Sequence, residues 1–133
     1  MADTYSFTTD LQDFNILRRV ADEASPKANF VLINVASTVE NAAGLVILAK
    51  KDTVLGLADK YPNEQFAGYT LGELAILHEI GEVAETSEGR FLVLDGTGDR
   101  AEVKRELETL GYEINRLNNL LNDRTVRVKV ISY

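Results

Sequence analysis

Arg90-Phe-Leu-Val-Leu-Asp95, then Gly96-Thr97-Gly98-Asp99, then Arg100 to Asn122 and Thr125 to Tyr133 form the stretch on which the fold turns. It reads strand, tight turn, long helix, strand. A short apolar run closed by a glycine cluster is a strand signal. From Arg100 the residues Val103, Leu107, Leu110, Ile114, Leu117 and Leu121 recur at alternating spacings of four and three. That seam of about two and a half heptads is one apolar helix stripe. Val126, Val128 and Val130 then alternate with Arg127 and Lys129, as in a half-buried strand.

The helix over 100–122 would run about 34 Å, against about 20–27 Å for a strand of roughly six to eight residues. It should overhang the sheet or bend, with Gly111 as the bend point. An overhanging seam needs cover. The expected cover is a second copy of the chain, since two-fold dimers are the commonest assembly. Leu107, Leu110, Ile114, Leu117 and Leu121 are the expected interface. Asn118, Asn119 and Asn122 beside the seam would set register between the partners.

Upstream, Thr9 and Gln12 have capping-box spacing before the apolar face Leu11, Phe14, Leu17, Val20, Ala21 and Ala24, and Pro26 stops that helix. Phe30-Val-Leu-Ile33 with Val35, and Gly44-Leu-Val-Ile-Leu-Ala49, suit strands covered on both faces. One reading joins them as a hairpin with a wide loop, and the alternative is that residues 38–51 are helical. Residues 52–61 read as a helix capped by Asp52 or Thr53 and closed by Pro62. Asn63 to Tyr69 is a loop whose Phe66 and Tyr69 tuck into the core. Thr70 and Glu73 open a further helix, expected to run from Leu71 to about Glu85, with Leu74, Leu77, Ile80, Gly81 and Ala84 inward and Gly81 at a close packing point. The rival is a β-hairpin from Val83 to Leu94 turning at Ser87-Glu88-Gly89. Interleaved helices and strands over 133 residues predict a single α+β (or α/β) domain spanning 1–133. It would be a two-layer domain, with a mixed sheet of about four strands, helices packed against it, and a long C-terminal helix followed by a final strand. That last unit suits a parallel crossover.

The composition is 45% hydrophobic and 26% charged, with a formal charge of −7 and no cysteine. Disulfides and thiolate chemistry are excluded. The acidic balance argues against nucleic-acid partners and anionic membranes, and no apolar run approaches the length of a membrane span. Met1 to Phe7 lacks the pattern of a secretory leader, so the expected address is cytoplasmic. Glu73 to Glu88 contains five glutamates and no lysine or arginine. That run is either a solvated face or a surface for a cation or a basic protein partner.

Two short resemblances suggest chemistry. Leu77-His78-Glu79-Ile80-Gly81-Glu82 resembles the zinc-metalloprotease helix, in which two histidines one turn apart hold the metal and a glutamate is the base. Glu82 stands where the second histidine would be. The resemblance implies a weak divalent-metal site of His78, Glu82 and Glu85. Asp95-Gly96-Thr97 is similar to the last three positions of the Asp-x-Asp-Gly-Thr motif of haloacid-dehalogenase-like phosphatases, but Val93 occupies the nucleophile position. A glycine turn before a helix N-terminus can also hold an anion, which makes Asp95, Gly96, Thr97 and Gly98 a candidate ligand loop. The structural alternative is that Asp99 caps the following helix.

With one histidine in the chain, no catalytic triad can be drawn. The favoured expectation is a small acidic, non-enzymatic protein-interaction module. It would self-associate, need no cofactor, and serve a structural or regulatory accessory role of the phage type. The alternatives are a metal-dependent hydrolase built on His78-Glu79-x-x-Glu82 and a small-ligand or nucleotide binder at Asp95 to Asp99.

Overall fold

The structure, a computed structural model, describes residues 14–23, 28–36, 43–95, 99–121 and 126–132. The elements in chain order are α1 (Phe14–Glu23), β1 (Phe30–Ala36), β2 (Ala43–Lys50), α2 (Lys51–Lys60), β3 (Gln65–Phe66), β4 (Tyr69–Thr70), α3 (Leu71–Ile80), β5 (Val83–Thr86), β6 (Gly89–Asp95), α4 (Arg100–Leu121) and β7 (Val128–Ser132). One five-stranded sheet has the order β5-β6-β2-β1-β7, and β3 with β4 forms a separate hairpin. β7 is parallel to β1, while the other neighbours in the sheet are antiparallel. The body is a two-layer α+β domain, a mixed sheet with helices packed against it, and α4 is followed by the edge strand β7. The sheet has one strand more than the four expected, because β5 is a strand where helix was expected.

The central strands show why continuous apolar runs become sheet here. Alternate side chains point to opposite faces of a strand. Phe30, Leu32, Leu45, Ile47, Ala49 and Leu92 share a core with buried residues of α2, α3 and α4. Val31, Ile33, Val35, Val46, Leu48 and Phe91 form a second cluster on the reverse face with Leu17, Val20 and Ala21 of α1. Both faces are thus apolar, and the helical alternative fails over residues 43–50. Asp22 pins α1 in place: its Oδ1 accepts from the Ser87 N–H at 3.0 Å and from the Ser87 hydroxyl at 2.8 Å. The Thr9–Gln12 capping box lies outside the described residues. At α2 the N-cap is Lys50, with no side-chain cap. The cap expected from Asp52 or Thr53 is not formed, and the Thr53 hydroxyl instead accepts from Asn29 Nδ2 at 2.6 Å.

β6 and β7 point the same way, but β2 and β1 lie between them, so α4 crosses three strand spacings, about 14 Å. Its 22 residues are about 33 Å long. Its C-terminal half is flanked by the chain's own residues 61–70. The Tyr61 hydroxyl donates to the Leu120 carbonyl at 3.1 Å, the Ala67 N–H donates to Glu113 Oε2 at 2.9 Å, and Arg116 Nε donates to Glu64 Oε2 at 2.7 Å. The β3–β4 turn places Ala67 at φ 54 and Gly68 at φ 80, the left-handed pair of a two-residue hairpin. Phe66 is fully buried, its ring centroid 4.4 Å from that of Phe30. Tyr69, expected in the core, stays exposed.

The described seam residues pack largely within the chain. Val103, Leu110, Ile114 and Leu117 are buried in the main core, and Leu107 packs partly buried against it. The Leu121 side chain lies outside the described residues. Of the side chains expected at an interface, Leu110, Ile114 and Leu117 are buried within their own chain and Leu107 packs partly against them. Asn118, expected to set register with a partner, makes its hydrogen bonds within the chain. Its Nδ2 donates to the Val126 carbonyl at 3.1 Å and its Oδ1 accepts from the Val126 N–H at 3.0 Å. Asn29 does the same one residue on, accepting from the Arg127 N–H at 2.8 Å. These two carboxamides dock β7 onto the sheet. Asn118→Ala strands both backbone groups of the buried Val126, so it is expected to cost about 1–3 kcal/mol, read as a lowered urea midpoint.

Candidate functional site

Leu71 to Glu82 is the region where sequence and structure part most. The start agrees: Thr70 Oγ1 accepts from the Glu73 N–H at 3.1 Å, and Glu73 Oε1 accepts from the Thr70 N–H at 2.9 Å. This reciprocal pair holds the Glu73 carboxyl below its usual range. The end differs. α3 stops at Ile80, and Gly81 is extended, at φ −86 and ψ 179. A Cβ on Gly81 would lie 2.7 Å from the Leu77 carbonyl oxygen and 2.8 Å from Leu92 Cδ1. The chain passes so tightly against β6 that only glycine fits, and it leaves the helix to become β5.

The candidate metal site loses its frame at that turn. Glu82 is exposed beyond the helix, and Glu85 is exposed on β5, with its Oε1 3.5 Å from Arg90 Nε. His78 faces the opposite way, with 0% of its surface exposed. Helical spacing would have put His78, Glu82 and Glu85 on one face, and the break at Gly81 removes that spacing. Among the described residues no group of three or more histidines or carboxylates is placed to hold a metal ion.

His78 is unusual for a different reason. Neither ring nitrogen has a hydrogen-bond partner among the described residues. Burial lowers its pKa to about 4, helped by the cationic Lys51 and Arg90 and opposed by Glu79 and Asp52. It is a neutral core residue at neutral pH, filling the inward position after Leu71 and Leu74.

At the second candidate, Asp95 ends β6, exposed to solvent, while Gly96, Thr97 and Gly98 lie outside the described residues. Asp99 has the structural role: its Oδ1 accepts from the Glu102 N–H at 2.9 Å. Asp99→Ala is expected to lose about 1 kcal/mol of stability, measured by chemical denaturation.

The feature that periodicity missed is on the outer side of α3. Ile76 and Ile80 are 63% and 76% exposed, although Ile80 was expected inward. With Tyr69, Glu73 and Leu77, Ile76 lines a shallow hollow of about 270 Å³. At about 100° per residue, residues 73, 76, 77 and 80 lie on one side of the helix, roughly opposite Leu71, Leu74 and His78. The sequence signal was an excess. Leu71, Leu74, Ala75, Ile76, Leu77 and Ile80 are more apolar positions than one buried stripe uses. Leu55 of α2, the neighbouring helix, is exposed too.

Comparison with protein-family models, curated proteins and solved structures finds no match to this chain. No helix among the described residues is long and apolar enough to cross a membrane.

Proposed function

We propose that this protein is a non-enzymatic interaction module whose docking surface is the outer face of α3. The observation that carries this reading is the pair Ile76 and Ile80, one turn apart and mostly exposed on a helix that is apolar on both sides. Solvent-facing isoleucines that serve no core are costly to keep in water, and clustered apolar exposure marks interaction sites. The surface is built on a capped helix anchored in the main core through Leu71 and Leu74. It is therefore pre-formed, which lowers the ordering cost of binding. Two isoleucines, a tyrosine and a leucine give the apolar centre that an amphipathic helix recognises.

The test is methyl NMR of the isoleucine-labelled chain during titration with a panel of helical peptides. Binders should move the Ile76 and Ile80 signals. They should lose affinity in the Ile76→Asp, Ile80→Asp double variant, whose fold should survive because both sites are exposed. Tyr112→Asp, on the outer side of α4, should bind as the parent does. Binders that ignore the double variant would refute the surface, as would a panel that leaves both methyl signals unmoved.

A further inference from the structure

We infer that the occupant of the α3 face is a basic amphipathic helix from another protein. This inference rests on the interaction reading above and adds the partner's chemistry. The apolar centre has acidic surroundings. Glu73 lines the hollow beside Tyr69 and Ile76. Glu79 adjoins Ile80 in sequence and pairs with Lys51 at 2.8 Å. Glu82 is exposed two residues past Ile80, just beyond the helix end. Lys51 neutralises one of these three carboxylates, so the rim keeps a net negative charge. A second copy would bring two such rims together, each on a chain of formal charge −7. Like charges placed opposite one another penalise that pairing, whereas a cationic rim on the partner is attracted and steered. The length also fits. α3 has ten residues and is about 15 Å long, which is about three turns of a partner helix. Such a partner would present apolar residues at helical spacing to Ile76 and Ile80, with lysine or arginine along its flanks.

The experiment compares two labelled peptides of about four turns with the same leucine stripe, one flanked by lysine and one by glutamate. Anisotropy with the full chain should give the lysine peptide at least a roughly tenfold lower Kd. That advantage should shrink as salt is raised. Glu82→Lys should reduce it several-fold, and Ile80→Asp should remove binding. Equal affinity for both peptides would overturn the basic-partner inference while leaving the docking surface standing. If neither peptide binds and sedimentation shows a dimer that Ile80→Asp dissociates, the occupant is a second copy and the inference is wrong. If neither binds and the chain stays monomeric, the inference and the docking surface fall together.

Discussion

Phe66→Ala is expected to lower the unfolding free energy by about 3–5 kcal/mol, the range for removing a fully buried aromatic ring. The size follows from where the ring sits. Phe66 is one of two residues in β3, and β3 with β4 forms a hairpin outside the main sheet. A two-residue strand pair has almost no stability of its own. Its place depends on Phe66 packing on Phe30 and on the hydrogen bond from Ala67 to Glu113. That hairpin, with Tyr61 and Glu64, covers the C-terminal half of α4. Removing the ring should therefore loosen the far half of α4 as well as leave a cavity. Denaturant midpoints give the total. Amide exchange gives the distribution: protection around Ile114 and Leu117 should fall more than protection in β1 and β2. Tyr69→Ala, three residues away and exposed, should cost under about 1 kcal/mol. A Phe66→Ala loss no larger than that would mean that α4 is held without the hairpin.

That dependence explains what could be read in the chain. Local signals were legible. The Thr70–Glu73 capping box, the Asp99 cap, the double-faced runs of β1 and β2, and the heptad stripe of α4 all depend on residues within about one turn or one strand. Long-range signals were not. The seam was legible as apolar, but its cover came from Tyr61 to Thr70, about fifty residues upstream, through a two-residue strand too short for any pattern to reveal. The end of α3 had a local clue in Gly81, worth only about 1 kcal/mol in helix propensity. The tightest contact at Gly81 is the Leu77 carbonyl, with Leu92 Cδ1 beside it, and the Leu92 contact exists only once β6 is in place. The outer face of α3 escaped for a third reason. When both sides of a helix are apolar, periodicity cannot say which side is inward. Here a histidine took an inward position that sequence logic would give to Ile80.

The candidate sites divide in the same way. Asp99 caps α4 as read, whereas His78, read as a metal ligand, is a buried core residue. The grouping of His78, Glu82 and Glu85 assumed a helix continuous to Glu85, and α3 ends at Ile80. What remains is a surface reading, carried by exposed side chains whose exposure no sequence pattern states.

His78 gives the last prediction, a stability loss of about 2 kcal/mol as pH falls from 6.5 toward 4. The folded-state pKa is about 4, against 6.5 for the ordinary side chain. Between those values the unfolded chain binds a proton at this residue and the folded one does not. Stability then rises with pH, by about 1.4 kcal/mol per unit at most. The full contribution is present above pH 6.5, declines through the window, and is gone below about 4. Because the effective dielectric around buried groups is well above that of dry protein, the expected total is about 2 kcal/mol. This is the only histidine in the chain. The carboxyls of Glu64, Glu73 and Glu79 are held low by their partners, so their losses come below about pH 4.5. Glu113 is raised by burial and acts in the opposite direction, gaining relative stability as it protonates. Subtracting a His78→Leu variant isolates the histidine. Leucine fills similar space without two unpartnered nitrogens, so at pH 7 the variant should match or exceed the parent by about 1 kcal/mol. Its advantage should then widen steadily down to pH 4. Urea unfolding at half-unit pH steps measures this difference directly. If the difference stays constant from pH 7 to 5, the imidazole takes up its proton in the folded protein as readily as in the unfolded chain, and the neutral, buried state assigned to it is wrong.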